Sequence, residues 1–186
     1  SPHLPSPEVE RLGVEVVPLS IRFGNDEYTD GVDLSVAEFY DKLATASELP
    51  ETAAPSPGAF EAAFRRQASA GADAVVCINL SSGLSATIQA AQYAANALDG
   101  ALDVRVVDSR SITSGLGTQV TLAAESAAGG AGADDVVALV EGLARRTHVF
   151  GALDTLDNLK KGGRIGGAQA ALGSILSIKP LLDIST

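Results

Sequence analysis

At 186 residues the chain is long enough for one ordinary domain, or one domain and part of a second, and it can bury a core without disulfides or metals. Its formal charge of −10, with thirteen Lys and Arg scattered along it, argues against nucleic acid or an anionic membrane surface as the main partner. The composition is small and apolar, with 19 Gly, no Met and no Trp, which suits close helix-on-sheet packing better than an aromatic-rich binding surface. No stretch is long and apolar enough to span a bilayer, and no charged-then-apolar leader opens the sequence, so the expected location is cytoplasmic. The single cysteine, Cys77, excludes an internal disulfide and, inside AVVCI, reads as a small buried thiol.

The opening SPHLPSPEVE is an irregular segment leading into a helix turn. GVEVVPLSIRF (13–23) is β-branched but interrupted by Pro18, which predicts an edge strand or two short extended pieces. A turn at Asn25-Asp26 returns the chain through Tyr28. Ser35-Val36-Ala37-Glu38 is a capping box, and Phe39, Tyr40 and Leu43 give its helix one apolar side, ending near Ala46. The following 48–64 stretch holds three prolines and reads as a loop with a second helix start, Ser56 as N-cap and Pro57 at the first helical position. That helix, 57–70, stops before Gly71.

AVVCI and Asn79 (74–79) form an uninterrupted apolar run, the composition of a strand buried on both faces of a parallel sheet. A helix over 86–98 follows, then a strand in 101–112 ending at Asp108-Ser109, a small-residue helix over 113–128 and a helix over 134–146. Alternation of strands and helices predicts an α/β fold, a mostly parallel sheet flanked by helices with right-handed crossovers. THVFGALDTL (147–156) begins a new strand, LDNLKKGGRIGGAQAALGSIL reads as a short helix, a glycine-rich turn and another helix, and SIKPLLDIST (177–186) is a last strand containing Pro180. The start of a second α/β unit is therefore expected after residue 146.

The candidate site centres on NLSSGLSATIQAA (79–91), at the junction between the buried strand and its helix. Ser81, Ser82, Ser85 and Thr87 offer hydroxyls there, Gly83 permits a tight turn, and Ser85 is placed as N-cap. A helix N-terminus carries free N–H groups and a partial positive charge, so the junction can seat a carboxylate or phosphate. The bland alternative is that Ser85 only caps its helix. GxGxxG after a strand, GxxxxGK[ST], HExxH, CxxC and GxSxG are all absent, so dinucleotide, P-loop, zinc and hydrolase signatures are missing. His3 lies in the irregular lead, and His148, inside an apparent strand, reads as a packed histidine rather than a general base. In KKGGRIGG (160–167), Gly162 can cap a helix, Gly163 permits a close turn, and Arg164 emerges as a planar donor suited to a carboxylate or phosphate, unless it merely holds the turn through helix C-terminal carbonyls. Thr52, before the Ser56-capped helix, is an ordinary loop threonine when read alone.

Taken in order, VEVVPLSIRF, EYTDGVDLSVAEFYDKL, ELPETAAPSPGAF, LSSGLSATIQAA, VVDSRSITSGLG, DTLDNLKKGGRIG and SILSIKPLL resemble the DegV family over essentially the whole chain. The resemblance implies a two-domain α/β protein that holds one long-chain fatty acid between its domains. In several bacteria such proteins are the fatty-acid-binding subunit of fatty acid kinase, presenting the acyl carboxylate to a separate kinase subunit without being catalysts, and the resemblance implies no cofactor and no metal. Carried over by motif, the carboxylate-binding hydroxyls fall on Thr52 and on Ser85 of LSAT, and the arginine of the KGGRIS-like block falls on Arg164.

The chain departs from the family pattern at several points. Thr52-Ala53-Ala54-Pro55-Ser56 stands for Thr-Ser-Gln-Pro-Ser, which removes one hydroxyl near the head group, and Ala86 stands for a glycine. The family opens with a central strand closing on Asp-Ser, and a histidine near the carboxylate lies in the later part of its second domain. The resemblance therefore divides the chain into an N-terminal unit, 1–146, without that first strand, and a truncated beginning of the second domain, 147–186. Burying a C16 tail at about 0.8 kcal/mol per methylene yields on the order of 12 kcal/mol before ordering costs, which calls for an apolar cleft and a few fixed polar groups. Two competing readings stand beside this one: a hydrolase or phosphotransferase using the serine-rich junction, which needs a general base near Ser85, and a structural module whose serines only cap helices.

Overall fold

The structure, a computed structural model, describes residues 4–166 and 179–184. Pro5 precedes a first short helix, α1 (Ser6–Leu12), which ends at Gly13 in the left-handed conformation, φ 63°. A small antiparallel sheet follows. Strand β1 (Ser20–Phe23) turns through Gly24-Asn25 into β2 (Asp26–Thr29), with Phe23 opposite Asp26. On the other side of β1 lies β3 (Glu51–Ala53), antiparallel, with Thr52 opposite Ile21. The sheet order is β2-β1-β3, so the 13–23 segment contributes a central strand and not an edge. Pro18 is tolerated because the ladder begins two residues beyond it. Helix α2 (Val36–Thr45) starts on the expected capping box and brings Phe39 edge-on to Phe23, 5.7 Å between centroids, while Tyr40 stays 62 % exposed instead of joining the apolar side.

The main body is a three-layer arrangement around β4 (Ala74–Asn79) and β5 (Asp103–Asp108), which pair in parallel from Ala74 opposite Asp103 to Asn79 opposite Asp108. Side chains of a strand alternate between faces, and β4 uses both. Val75 and Cys77 pack on a cluster of Phe60, Phe64, Ala91, Ala94, Ala95 and Leu98, supplied by α3 (Pro57–Ser69) and by α4 (Thr87–Ala97) with its C-cap. Val76 and Ile78 pack on Val107, Ala123, Val136 and Val140, supplied by β5, α5 (Thr113–Ala128) and α6 (Ala133–Ala144). Helices thus cover both faces of this apolar strand, while its side chains from Ala74 to Ile78 stay partly exposed and only Asn79 is buried. Phe60 and Phe64, each 3 % exposed, contribute about 1.5–3 kcal/mol apiece through burial. Helix α3 begins as expected, with the Ser56 hydroxyl accepting from Ala59 N and Pro57 in the first turn.

After α6 the chain enters a separate strand pair: β6 (Phe150–Ala152) runs antiparallel to β7 (Leu181–Asp183). Between them stands α7 (Asp157–Lys161). The helix expected beyond the glycine-rich turn lies outside the described residues. The class is mixed α/β, with a small parallel sheet of two strands; the other strand pairs among the described residues, β1 with β2, β1 with β3 and β6 with β7, are antiparallel. His148 does not lie in a strand. It is exposed before β6, its Nδ1 3.2 Å from an Asp183 carboxylate oxygen and its ring stacked on Phe150, so the expectation of a packed histidine is corrected.

Candidate functional site

In parallel sheets ligands gather outside the carboxyl ends of the strands, where the turns into the helices open. The two such turns here, after β4 and after β5, are bound together. Ser109 N donates to Asn79 O at 3.0 Å, extending the ladder by one step, and Ser81 N donates to Ser111 O at 2.9 Å. Ser81 is fully buried and organises the first turn: its hydroxyl accepts from Gly83 N at 3.1 Å, and its carbonyl accepts from Leu84 N and Ser85 N at 3.0 and 3.2 Å. Asp108, the last residue of β5, reaches across with its carboxylate to accept from Ser82 N at 3.3 and 3.4 Å, and it accepts from Arg110 N at 2.9 Å.

The second turn is strained at two exposed residues and buries the two serines between and beside them, Ser109 and Ser111. Arg110 and Thr113 adopt φ of 49° and 47°, a left-handed conformation costing non-glycine residues of order 1–3 kcal/mol. Ser109 Oγ donates to Ser111 O and accepts from Ser111 N, both at 3.2 Å, and Gln119 Nε2 donates to Ser109 O at 3.1 Å. Ser111 Oγ and Gln119 Oε1 are buried without a hydrogen-bond partner among the described residues.

Ser85 is not the N-cap of α4. The double hydrogen bond onto the Ser81 carbonyl closes a turn that carries the chain two residues further, so the helix begins at Thr87 and Ala86 occupies the cap position. The half-buried Ser85 hydroxyl lies 2.8 Å from Thr87 Oγ1 and accepts from Thr87 N at 3.3 Å. Arg164 reaches this turn. Gly162 caps α7, Gly163 turns at φ 70°, and the guanidinium then donates from Nη1 to Gly162 O at 2.7 Å and from Nε to Leu84 O at 3.4 Å. Arg164 thus holds its own turn and stands beside the residue preceding Ser85.

Thr52 is not in a loop but in the middle of β3, exposed, and no hydrogen bond joins it to Ser85 or Arg164 among the described residues. Pro55, three residues later, and Thr87, two residues after Ser85, nevertheless line one cavity of about 770 Å³. That cavity is bordered by every residue of β4 and by none of β5, so it follows the β4 edge that β5 leaves free. Backbone N–H and C=O groups along such an edge need polar partners, and methylenes cannot supply them. The cavity is therefore no seat for an acyl tail alone.

Reading the sequence placed Asp108 only at the end of its strand and Ser81 only among the hydroxyls, and missed the contact between the two turns. A signal existed: parallel strands end side by side, so LSS after β4 and VDS at the end of β5 had to meet. Burial pushes the Cys77 thiol up to about 11, against a smaller opposing pull from the Asn79 amide. Among the described residues no group of three or more His, Cys, Asp or Glu is arranged to hold a metal ion, and no helix is long and apolar enough to cross a membrane.

Comparison with known proteins places these features. The model of a family described as uncharacterised protein, DegV family, matches residues 1–186. A DegV domain-containing protein of Listeria innocua is 37 % identical over 183 residues, covering 98 % of this chain and 64 % of its own length. The chain thus spans just under two thirds of that relative. Among solved structures, a fatty-acid-binding DegV family protein from Thermus thermophilus is 39 % identical with a TM-score of 0.87, over 97 % of this chain and 64 % of that one. DegV of Bacillus subtilis, described as a fatty acid binding protein, is 30 % identical with a TM-score of 0.87, over 98 % of this chain and 64 % of that one.

Proposed function

Because the chain belongs to the DegV family, we propose that it binds one long-chain fatty acid between its N-terminal unit, 1–146, and the unit that begins at 147, with the carboxylate held by Thr52, Ser85 and Arg164. The observation that carries the reading is the hydrogen bond from Arg164 Nε to Leu84 O, which sets a permanent cation beside a hydroxyl in the turn that opens onto α4. A carboxylate there meets two kinds of donor without needing a buried ion pair. The protein is a cytoplasmic carrier and not a catalyst: it presents the carboxylate to a partner kinase subunit, as the family resemblance implies. A hydrolase would need a base on Ser85, whose hydroxyl is engaged instead with Thr87.

Native mass spectrometry of the full-length protein purified from a bacterial host tests this reading. One co-purifying fatty acid per chain, exchangeable for palmitate, is expected. Absence of any bound lipid together with no binding of added palmitate, or turnover of acyl esters by the protein alone, overturns it.

A further inference from the structure

We propose that Asp108 is a positioning residue for the head group: its carboxylate, which touches no ligand, fixes the turn that presents Ser85, and so sets affinity for carboxylates and not for acyl chains. This inference rests on the fatty-acid reading above. Residues 81–85 are attached to the neighbouring turn by two links, the backbone bond from Ser81 N to Ser111 O and the Asp108 carboxylate on Ser82 N. The same carboxylate accepts from Arg110 N, where the backbone is held at φ 49°. The bond to Arg110 N, at 2.9 Å, has the length of a charge-assisted hydrogen bond, and the longer contacts of both carboxylate oxygens with Ser82 N join the first turn to the same half-buried side chain. Ser85 and the Leu84 carbonyl that receives Arg164 both lie within the five-residue turn that Asp108 anchors.

The sign of the effect separates positioning from simple charge. A carboxylate near an anionic ligand repels it, so removing Asp108 for electrostatic reasons alone would tighten fatty-acid binding. Loss of positioning does the reverse. Asp108→Ala in the full-length protein is expected to weaken palmitate binding about ten-fold, the equivalent of one well-made hydrogen bond, while hexadecanol, which has the tail without the charge, binds within about two-fold of wild type. Asp108→Asn, which keeps one acceptor oxygen, is expected to lie between, and it decides the question if the alanine variant does not fold. Equal weakening of palmitate and hexadecanol would make Asp108 merely structural. Unchanged or tighter palmitate binding would equally overturn the proposal. Wild-type protein that binds neither molecule would refute the fatty-acid reading itself, whereas wild-type binding that Ser85→Ala weakens and Asp108→Ala does not would refute positioning alone.

Discussion

Helices α2 and α4 both start beside a serine, yet the two serines do different things. Ser35 is an N-cap of the ordinary kind: its hydroxyl accepts from Glu38 N, the Glu38 carboxylate returns to Ser35 N at 2.9 Å, and the whole box is exposed. Ser85 sits one residue before the cap position, half-buried, its hydroxyl shared with Thr87 in a turn held by Ser81 and Asp108. A capping hydroxyl is committed to its helix. The Ser85 hydroxyl is shared between Thr87 N and Thr87 Oγ1, and the surrounding turn is tied to three distant residues, Ser111, Asp108 and Arg164. The first helix start is a self-contained cap, whereas the second is built from contacts that reach beyond its own helix.

The sharpest way to break this contrast is to delete both hydroxyls and measure both properties. Ser85→Ala in the full-length protein should weaken fatty-acid binding by about 1.5–3 kcal/mol, the worth of a hydrogen bond to a charged group, or roughly ten- to a hundred-fold and slightly more. Ser35→Ala should leave affinity unchanged and lower stability by about 0.5–2 kcal/mol in thermal melting without ligand. Identical melting losses with wild-type affinity in both variants would reduce Ser85 to a structural role.

A second test asks whether the carboxyl edge of the sheet is as tightly built as its hydrogen bonds indicate. A Cβ on Gly115, in the first turn of α5, would overlap Ser111 Oγ and the Val149 side chain and stand 3.1 Å from Thr147. Gly115→Ala should cost about 1–3 kcal/mol by overpacking. Gly142→Ala in α6, where nothing lies within 4 Å, should instead stabilise by up to about 1 kcal/mol through helix propensity. Opposite signs in chemical denaturation are the expected outcome, and a harmless Gly115→Ala would mean that the edge yields.

The mildest test marks where the polar edge ends and the core begins. Cys77 stands two residues before Asn79, and with its thiol pushed up to about 11 it remains protonated at neutral pH. Iodoacetamide at pH 7.5 should leave it unmodified in the folded protein and alkylate it in urea. Because burial holds it above the ordinary thiol value, the contribution of the neutral thiol to stability is complete below that ordinary value and is lost as pH rises through about 11. Rapid alkylation of the folded protein at pH 7.5 would show that solvent penetrates β4.

What could be read in the sequence was what local chemistry determines. The Ser35 box, the Ser56-Pro57 start, the apolar run of β4 and the span of α5 each depend on residues a few positions apart, and each matched the structure. Strand β3 was read as loop because its three exposed residues have no periodicity of their own; it exists by pairing with β1, some thirty positions earlier. The start of α4 was misplaced because Ser85 satisfies every local rule for a cap, and only the nonlocal turn around Ser81 displaces it. Of the candidate site, Ser85 and Arg164 could be picked out as residue types, while the meeting of Arg164 with Leu84 across eighty positions and the place of Thr52 in β3 could not.

Those eighty positions also have an order in time. On the ribosome the Ser81–Ser85 turn is made early, but Asp108 follows 26 residues after Ser82, and Arg164 follows 80 after Leu84. A nascent chain that has emerged only through α4 carries the serines without the partners that shape them, since parallel pairing must wait for its distant strand. The turn that carries Ser85 thus receives its last described partner only after α5, α6 and α7 have been made.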